Sequence, residues 1–239
     1  DYEAIGVERQ VKKPRVFLSY SHKDEEYKKE FANKVFASEN SAGDRVMLIE
    51  DNGEALAERI RMLEHAKQSI VLSTFDFHSD ISGKKMLAAL WAAAERGVKV
   101  KILADGCNSW LRMTGNAYFY ALASHENVTI KTYNPVNPLL PFHAMSRMHD
   151  KYVIVDDSLY LLGGRNVYDS FLGAQDGPKN YDRDVLVYHE GEKEGSLYQV
   201  KAYFEAIWND SFCCEEYKLL QKEYKGKKLR YTMLVGRKE

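Results

Sequence analysis

Between Asp44 and Tyr133 short apolar runs alternate with longer stretches of helical spacing, and this alternation limits the fold more than any other feature of the chain. Val46–Glu50 reads as a strand, the residues from Asn52 to Ala66 as a helix, and Ser69–Phe75 as a second strand. Gly83–Arg96 is a helix with Met86, Leu87, Leu90 and Trp91 on one face, and Gly97 ends it. Val98–Ala104 is a buried strand, Asn108–Ser124 a helix and Val128–Tyr133 a strand. Strands joined through helices need crossovers, which favour parallel neighbours with both sheet faces covered. The expected fold is therefore α/β, a mixed, largely parallel β-sheet flanked by helices on both faces. Further on, Leu197–Trp208 is helical, and its Val200, Tyr203, Phe204, Ile207 and Trp208 suit a core-facing stripe.

With 239 residues, 45% of them hydrophobic, the chain can bury a substantial core. We expect residues 44–210 to form the main unit, with a strand-helix extension over 1–43 and a helical segment or linker over 211–239. In the extension, residues 14–31 resemble the strand and helix that open a TIR domain, with no following match; His22-Lys23-Asp24 reads as a solvated helix start. Lys and Arg total 34 against 35 Asp and Glu, so a net charge of -1 offers no broad attraction for nucleic acid, and an anionic substrate needs a local site. The cysteines, Cys107 and the adjacent Cys213 and Cys214, lack the spacing of a disulfide framework or zinc site and suit a reducing compartment. The longest apolar run, Met86 to Ala94, falls short of the roughly 20 residues needed to cross a bilayer. The expected location is the cytoplasm or the cytoplasmic face of a membrane, with any anchor outside these residues.

The stretch from Met148 to Asn166 holds two apolar runs split by Asp157-Ser158, the pattern of a β-hairpin. With those two residues as the turn, Asn166 falls across from His149 and Gly164 across from Lys151. Side chains alternate along a strand, so His149, Lys151 and Asn166 would converge on one face, with open space over Gly164 for a tetrahedral anion. An imidazole can attack phosphorus, while an ammonium and an amide offset charge on the phosphate oxygens. By the same alternation Asp156 points away from His149, and we expect it to fix the turn or pair with a basic residue.

The pattern His149-x-Lys151-x4-Asp156-x6-Gly163-Gly164-x-Asn166 is similar to the signature of the phospholipase D superfamily at every fixed position. From about Asp44 to Asp210 the chain resembles the N-terminal half of a bacterial cardiolipin synthase, including Gly97–Gly106, Tyr133-Asn134-Pro135, Arg147–Lys151 and Gly163–Asp169. The resemblance implies phosphodiester transfer or hydrolysis through a phosphohistidine, without cofactor or metal. His149 and Lys151 would be catalytic together with Asn166; Lys151, Gly164 and Asn166 would bind the phosphate; Asp156 and Gly163 would be structural parts of the motif. It also implies that Asp184, in Tyr181–Val187, orients the imidazole. Asp182 and Arg183 are weaker candidates, and Arg165 is structural or phosphate-adjacent.

No second His-x-Lys follows Lys151, so a complete site calls for a second motif-bearing half, in the same full-length chain or in a homodimer. The expected substrate is a phospholipid, with phosphatidyl transfer as the reaction and nucleic acid disfavoured. A nuclease of the same superfamily and a non-catalytic pairing or binding half remain the alternatives. The other histidines, His22, His65, His78, His125, His143 and His189, show no metal-ligand spacing. Asp76, His78 and Asp105 follow strand ends, where open α/β sheets place their ligands. The loop from Asn134 to Ser146 carries Leu139, Leu140, Phe142 and Met145, which pack beneath it or line an acyl groove.

Overall fold

A computed structural model describes residues 44–136, 146–189 and 195–214. The 1–43 extension, the loop residues Leu139, Leu140, Phe142 and Met145, and residues 215–239 lie outside the described residues. The elements run β1 (Asp44–Ile49), α1 (Asn52–His65), β2 (Ser69–Thr74), α2 (Ile81–Glu95), β3 (Lys99–Asp105), α3 (Gly106–Arg112), α4 (Ala117–Ala123) and β4 (Val128–Tyr133). They continue as β5 (Tyr152–Val155), β6 (Leu159–Gly163), β7 (Asp184–His189), α5 (Ser196–Trp208) and β8 (Cys213–Cys214).

Among the described residues one sheet holds eight strands in the order β1-β7-β6-β5-β2-β3-β4-β8. Only β2–β3 and β3–β4 pair in parallel; the other five neighbour pairs are antiparallel, so the sheet is mixed but not largely parallel. The physical reason lies in β1 and β2. They do run in the same direction across the α1 crossover, but β7, β6 and β5 are inserted between them. Alternation of helix and strand along a chain reports strand direction, and it is silent on adjacency.

Helices cover both faces. Val153, Val155 and Leu161 face the core built on Leu63 of α1, Met86, Leu87 and Leu90 of α2, and Phe119 and Leu122 of α4. Tyr152, Ile154, Tyr160 and Val187 face the other way, onto Leu197, Phe204 and Trp208 of α5. Burying each of these large α5 side chains contributes roughly 1.5–3 kcal/mol. Asp51, Asp80, Asp105 and Asn116 cap α1, α2, α3 and α4, each accepting a backbone N–H of the first turn. The single helix expected over Asn108–Ser124 is two, because Gly115 takes a left-handed φ of 75° and Asn116 starts a new cap. Among the described residues no helix is long and apolar enough to cross a membrane.

The β5–β6 hairpin forms, with a three-residue turn. Val155 pairs with Leu159, and Asp156 adopts a left-handed φ of 51° between them. The register is thus one residue off the expected one: Lys151 lies across from Gly163, whose N–H donates to the Lys151 carbonyl at 3.2 Å. The paired row Ile49, Asp184, Gly163 lies at one end of the sheet, as does Asp105 paired with Tyr133. There β1, β6, β2, β3 and β4 end and β5 and β7 begin.

Candidate active site

Open α/β sheets collect ligands at the carboxyl ends of their parallel strands, and His149, Lys151, Gly163 and Asn166 lie at that end. Just beyond β2, Phe75 acts as a hub. The imidazole of His149 meets its ring edge-on with centroids 4.6 Å apart, Lys151 Nζ stands 5.3 Å from the ring centre and the Arg147 guanidinium 4.9 Å. Three cationic or ionisable groups therefore border one aromatic ring. His149 is exposed and free to meet a substrate, whereas Lys151 is buried and donates from Nζ to the His149 carbonyl at 2.6 Å. Burial lowers the Lys151 pKa from its ordinary value, opposed by the nearby Asp150 and Asp182 carboxylates.

The segment that presents His149 is held by β3. Asp105, fully buried at the β3 end, accepts from Arg147 Nε with both carboxylate oxygens at 2.9 Å and from the Met148 N–H at 3.2 Å. The same carboxylate caps α3 through the Asn108 N–H. This ion pair raises the Arg147 pKa above its ordinary value, chiefly through the hydrogen bond to Asp105. Met148 points into the opposite core, against Ser73, which fixes the strand face and leaves His149 at the open end. Tyr203 of α5 donates its hydroxyl to Asp150 at 2.8 Å and clamps the residue after His149.

Asn166 reaches this end by a route other than the hairpin ladder. The ladder stops at Gly163, and the chain then crosses to form a parallel bridge between Val167 and Phe77. There the Asp76 N–H donates to Asn166 Oδ1 at 3.2 Å, so the amide is fixed one residue from Phe75. The expected placement of Asn166 directly across from His149 is corrected accordingly, since the extra turn residue shifts every opposed pair. Next to Asn166, the Tyr168 ring stacks on His78 with centroids 4.3 Å apart. His78 Nε2 lies 2.9 Å from Asp76 Oδ2.

The two glycines are filled positions, which corrects the expected open space over Gly164. A β-carbon on Gly163 would lie 1.8 Å from Asp184 Oδ1, and one on Gly164 would lie 1.9 Å from Asp182 Oδ2. Two carboxylates thus occupy the room that the missing side chains leave. Asp184 is fully buried; its Oδ2 accepts from Arg59 Nη1 at 2.8 Å and from Arg165 Nη1 at 3.0 Å. Its other oxygen, Oδ1, has no hydrogen-bond partner among the described residues. No bond joins Asp184 to His149, and the carboxylate lies at the ladder row of Gly163, the partner of Lys151.

Asp156 is remote from these groups. It sits in the turn at the far end of β5, where its carboxylate accepts three backbone N–H groups, from Lys67 at 3.0 Å, Gln68 at 2.8 Å and Ser69 at 2.9 Å. Its separation from His149 comes from lying at the opposite end of the strand. The structure therefore gathers His149, Lys151, Asn166 and Asp184 at one end and leaves Asp156 out. Sequence reasoning missed Phe75 and Arg59, and it placed Asp105 at a strand end on the ligand side without its pairing to Arg147. The one available signal was that Asp105 follows a strand end while Arg147 stands two residues before the histidine.

The sequence profile of a family described as "Cardiolipin synthase, PLD-like domain" matches residues 59–208. The chain is 33% identical over 152 residues to cardiolipin synthase C of Escherichia coli, covering 58% of this chain and 30% of that protein. It is 35% identical over 159 residues to cardiolipin synthase B of Salmonella typhi, covering 66% and 37%. The chain thus spans about a third of the length of these curated relatives. Among solved structures it resembles a phospholipase D family member, Nuc, from Salmonella typhimurium, with a TM-score of 0.52 and 22% identity over 70% of this chain and 95% of that one. That likeness shows the fold.

Proposed function

Because the chain belongs to the cardiolipin synthase, PLD-like domain family, we propose that it supplies one half of a phospholipase D-like phosphodiester-transfer site, and that its reaction is phosphatidyl transfer on phospholipid. The observation that carries this reading is the exposed imidazole of His149 beside Lys151 at Phe75, with Asn166 anchored one residue away. A nucleophile that is accessible, a cation and an amide are the groups such a displacement uses.

In the proposed reaction a ring nitrogen of His149 forms a bond to phosphorus as the bond from phosphorus to the leaving alcohol oxygen breaks. A histidine of a second motif-bearing half gives its proton to that alkoxide. The incoming alcohol then loses its proton to the same histidine, its oxygen bonds phosphorus, and the bond from phosphorus to His149 breaks. One difficult step becomes two easier ones, with one group serving as acid and then as base. Asp184, at the position the resemblance assigns to the orienting carboxylate, keeps one oxygen without a donor among the described residues, which supports a role in receiving an imidazole N–H.

The test is to incubate the whole protein, together with its second half, with phosphatidylglycerol and to search for phosphorylated His149 by mass spectrometry. Modified His149 and lipid-linked product are the expected result. Turnover of single-stranded DNA with none of phosphatidylglycerol would overturn the lipid reading and leave the phosphodiester chemistry standing.

A further inference from the structure

We infer that Arg59, on a helix outside the motif, is a positioning residue for this reaction: with Arg165 it occupies one oxygen of Asp184 and leaves the other, seated over Gly163, without a partner among the described residues. The inference rests on the proposed pairing of Asp184 with His149 and extends it to a residue that no motif contains.

Both guanidiniums bond the same carboxylate oxygen, Oδ2, at 2.8 Å and 3.0 Å, and neither takes Oδ1. Each arginine is itself fixed. Arg59 Nη1 also donates to the Ala55 carbonyl of its own helix at 3.0 Å, and Arg165 donates to the Ile49 and Glu50 carbonyls and to Asn52 Oδ1 at the end of β1. All three charged side chains are buried, Asp184 completely. A carboxylate gripped at one oxygen by two immobile donors, and seated on Gly163 at the other, has no rotational freedom. Its free oxygen therefore has a fixed direction before substrate arrives, which is what preorganisation requires.

The pair also sets how strongly Asp184 acts. One carboxylate between two guanidiniums leaves a net positive cluster, and this weakens the pull of Asp184 on an imidazolium. Removing the Arg59 charge frees the carboxylate to hold the protonated histidine more firmly. The other charges bordering the site, Arg147, Lys151, Asp76, Asp182 and Arg165, are left in place by that change.

The experiment compares Arg59→Met, Arg59→Lys and Asp184→Asn in the whole protein paired with its second half, measuring phosphatidylglycerol turnover across pH. Arg59→Met is expected to lower kcat about tenfold or more, with KM little changed, and to move the acid limb of the profile up by about half a pH unit or more. Arg59→Lys should restore the limb to its original position. If Arg59→Met does not fold, Arg59→Gln, which keeps a donor without charge, carries the same expected shift. A limb that stays in place in these variants while Asp184→Asn lowers kcat and moves it down would overturn the role of Arg59 alone. An unaltered profile in Asp184→Asn would overturn the pairing of Asp184 with His149 on which the inference rests.

Discussion

Asp184 is seated on Gly163: its Oδ1 stands 1.8 Å from the point a β-carbon on that glycine would occupy. The two residues are directly opposed across β6 and β7, so the contact is built into the sheet. The glycine pair of the motif is therefore explained by carboxylate seating, with Asp182 over Gly164 in the same manner. A methyl group at Gly163 would meet both this oxygen and the Arg183 carbonyl, 2.7 Å away, and neither is the free end of a flexible chain.

Gly163→Ala is accordingly expected to displace Asp184 and to destabilise the protein by about 1–3 kcal/mol, the usual range for overpacking. Urea denaturation measures the loss. Turnover per folded molecule should fall at least about tenfold, since the displaced carboxylate can no longer hold its direction. Full turnover with an unchanged midpoint would show that the seat has no consequence.

Asp156 is expected to act on stability alone. Its carboxylate satisfies three backbone N–H groups at the entry to β2, and it does so from a left-handed backbone that most residues avoid. Asp156→Ala removes those acceptors and adds backbone strain, for a cost of about 2–4 kcal/mol. Asp156→Asn keeps one acceptor oxygen and tolerates the conformation, so its cost should be smaller. Denaturant midpoints of the two variants, read beside their turnover at a temperature where both are folded, check this; lost chemistry at full stability would contradict it.

Much of the site was legible in the chain, and the limit is instructive. His149, Lys151 and Asn166 stand at short, fixed spacings, so a motif can carry them. The hairpin they imply also forms, but nothing in Asp156-Asp157-Ser158 distinguishes a two-residue from a three-residue turn, and that one residue moves Asn166 off the ladder partner of His149. The supports were not legible. Asp105 holds Arg147 across 42 residues, and Arg59 holds Asp184 across 125. Such pairs depend on strand adjacency, and adjacency was the part of the fold that alternation of helix and strand left undetermined at β1 and β2.

His149→Ala should reduce turnover at least about 10³-fold while leaving the denaturation midpoint within about 0.5 kcal/mol of the parent. The side chain is exposed and meets Phe75 edge-on, so its loss opens no buried cavity. A large fall in stability would place His149 in the structural frame.

Lys151 gives a prediction in which stability and activity respond to pH with opposite sign. Its ammonium is buried, and desolvation lowers its pKa from the ordinary 10.5. The folded chain therefore releases this proton at a lower pH than the unfolded chain does. Between the two values the unfolded state binds more protons, so unfolding free energy rises with pH there. Below that window the lysine is charged in both states and its burial weighs against folding; above it the penalty is gone. Relative to Lys151→Met, which cannot titrate, the parent should gain stability as pH climbs towards 10.5. Turnover should fall over the same interval, because the cation that offsets charge on the phosphate is being lost. Denaturation curves and initial rates collected on both proteins from neutral to alkaline pH provide the check, and a parent protein that loses stability and activity together would refute the assignment of Lys151 as a buried, charge-bearing group.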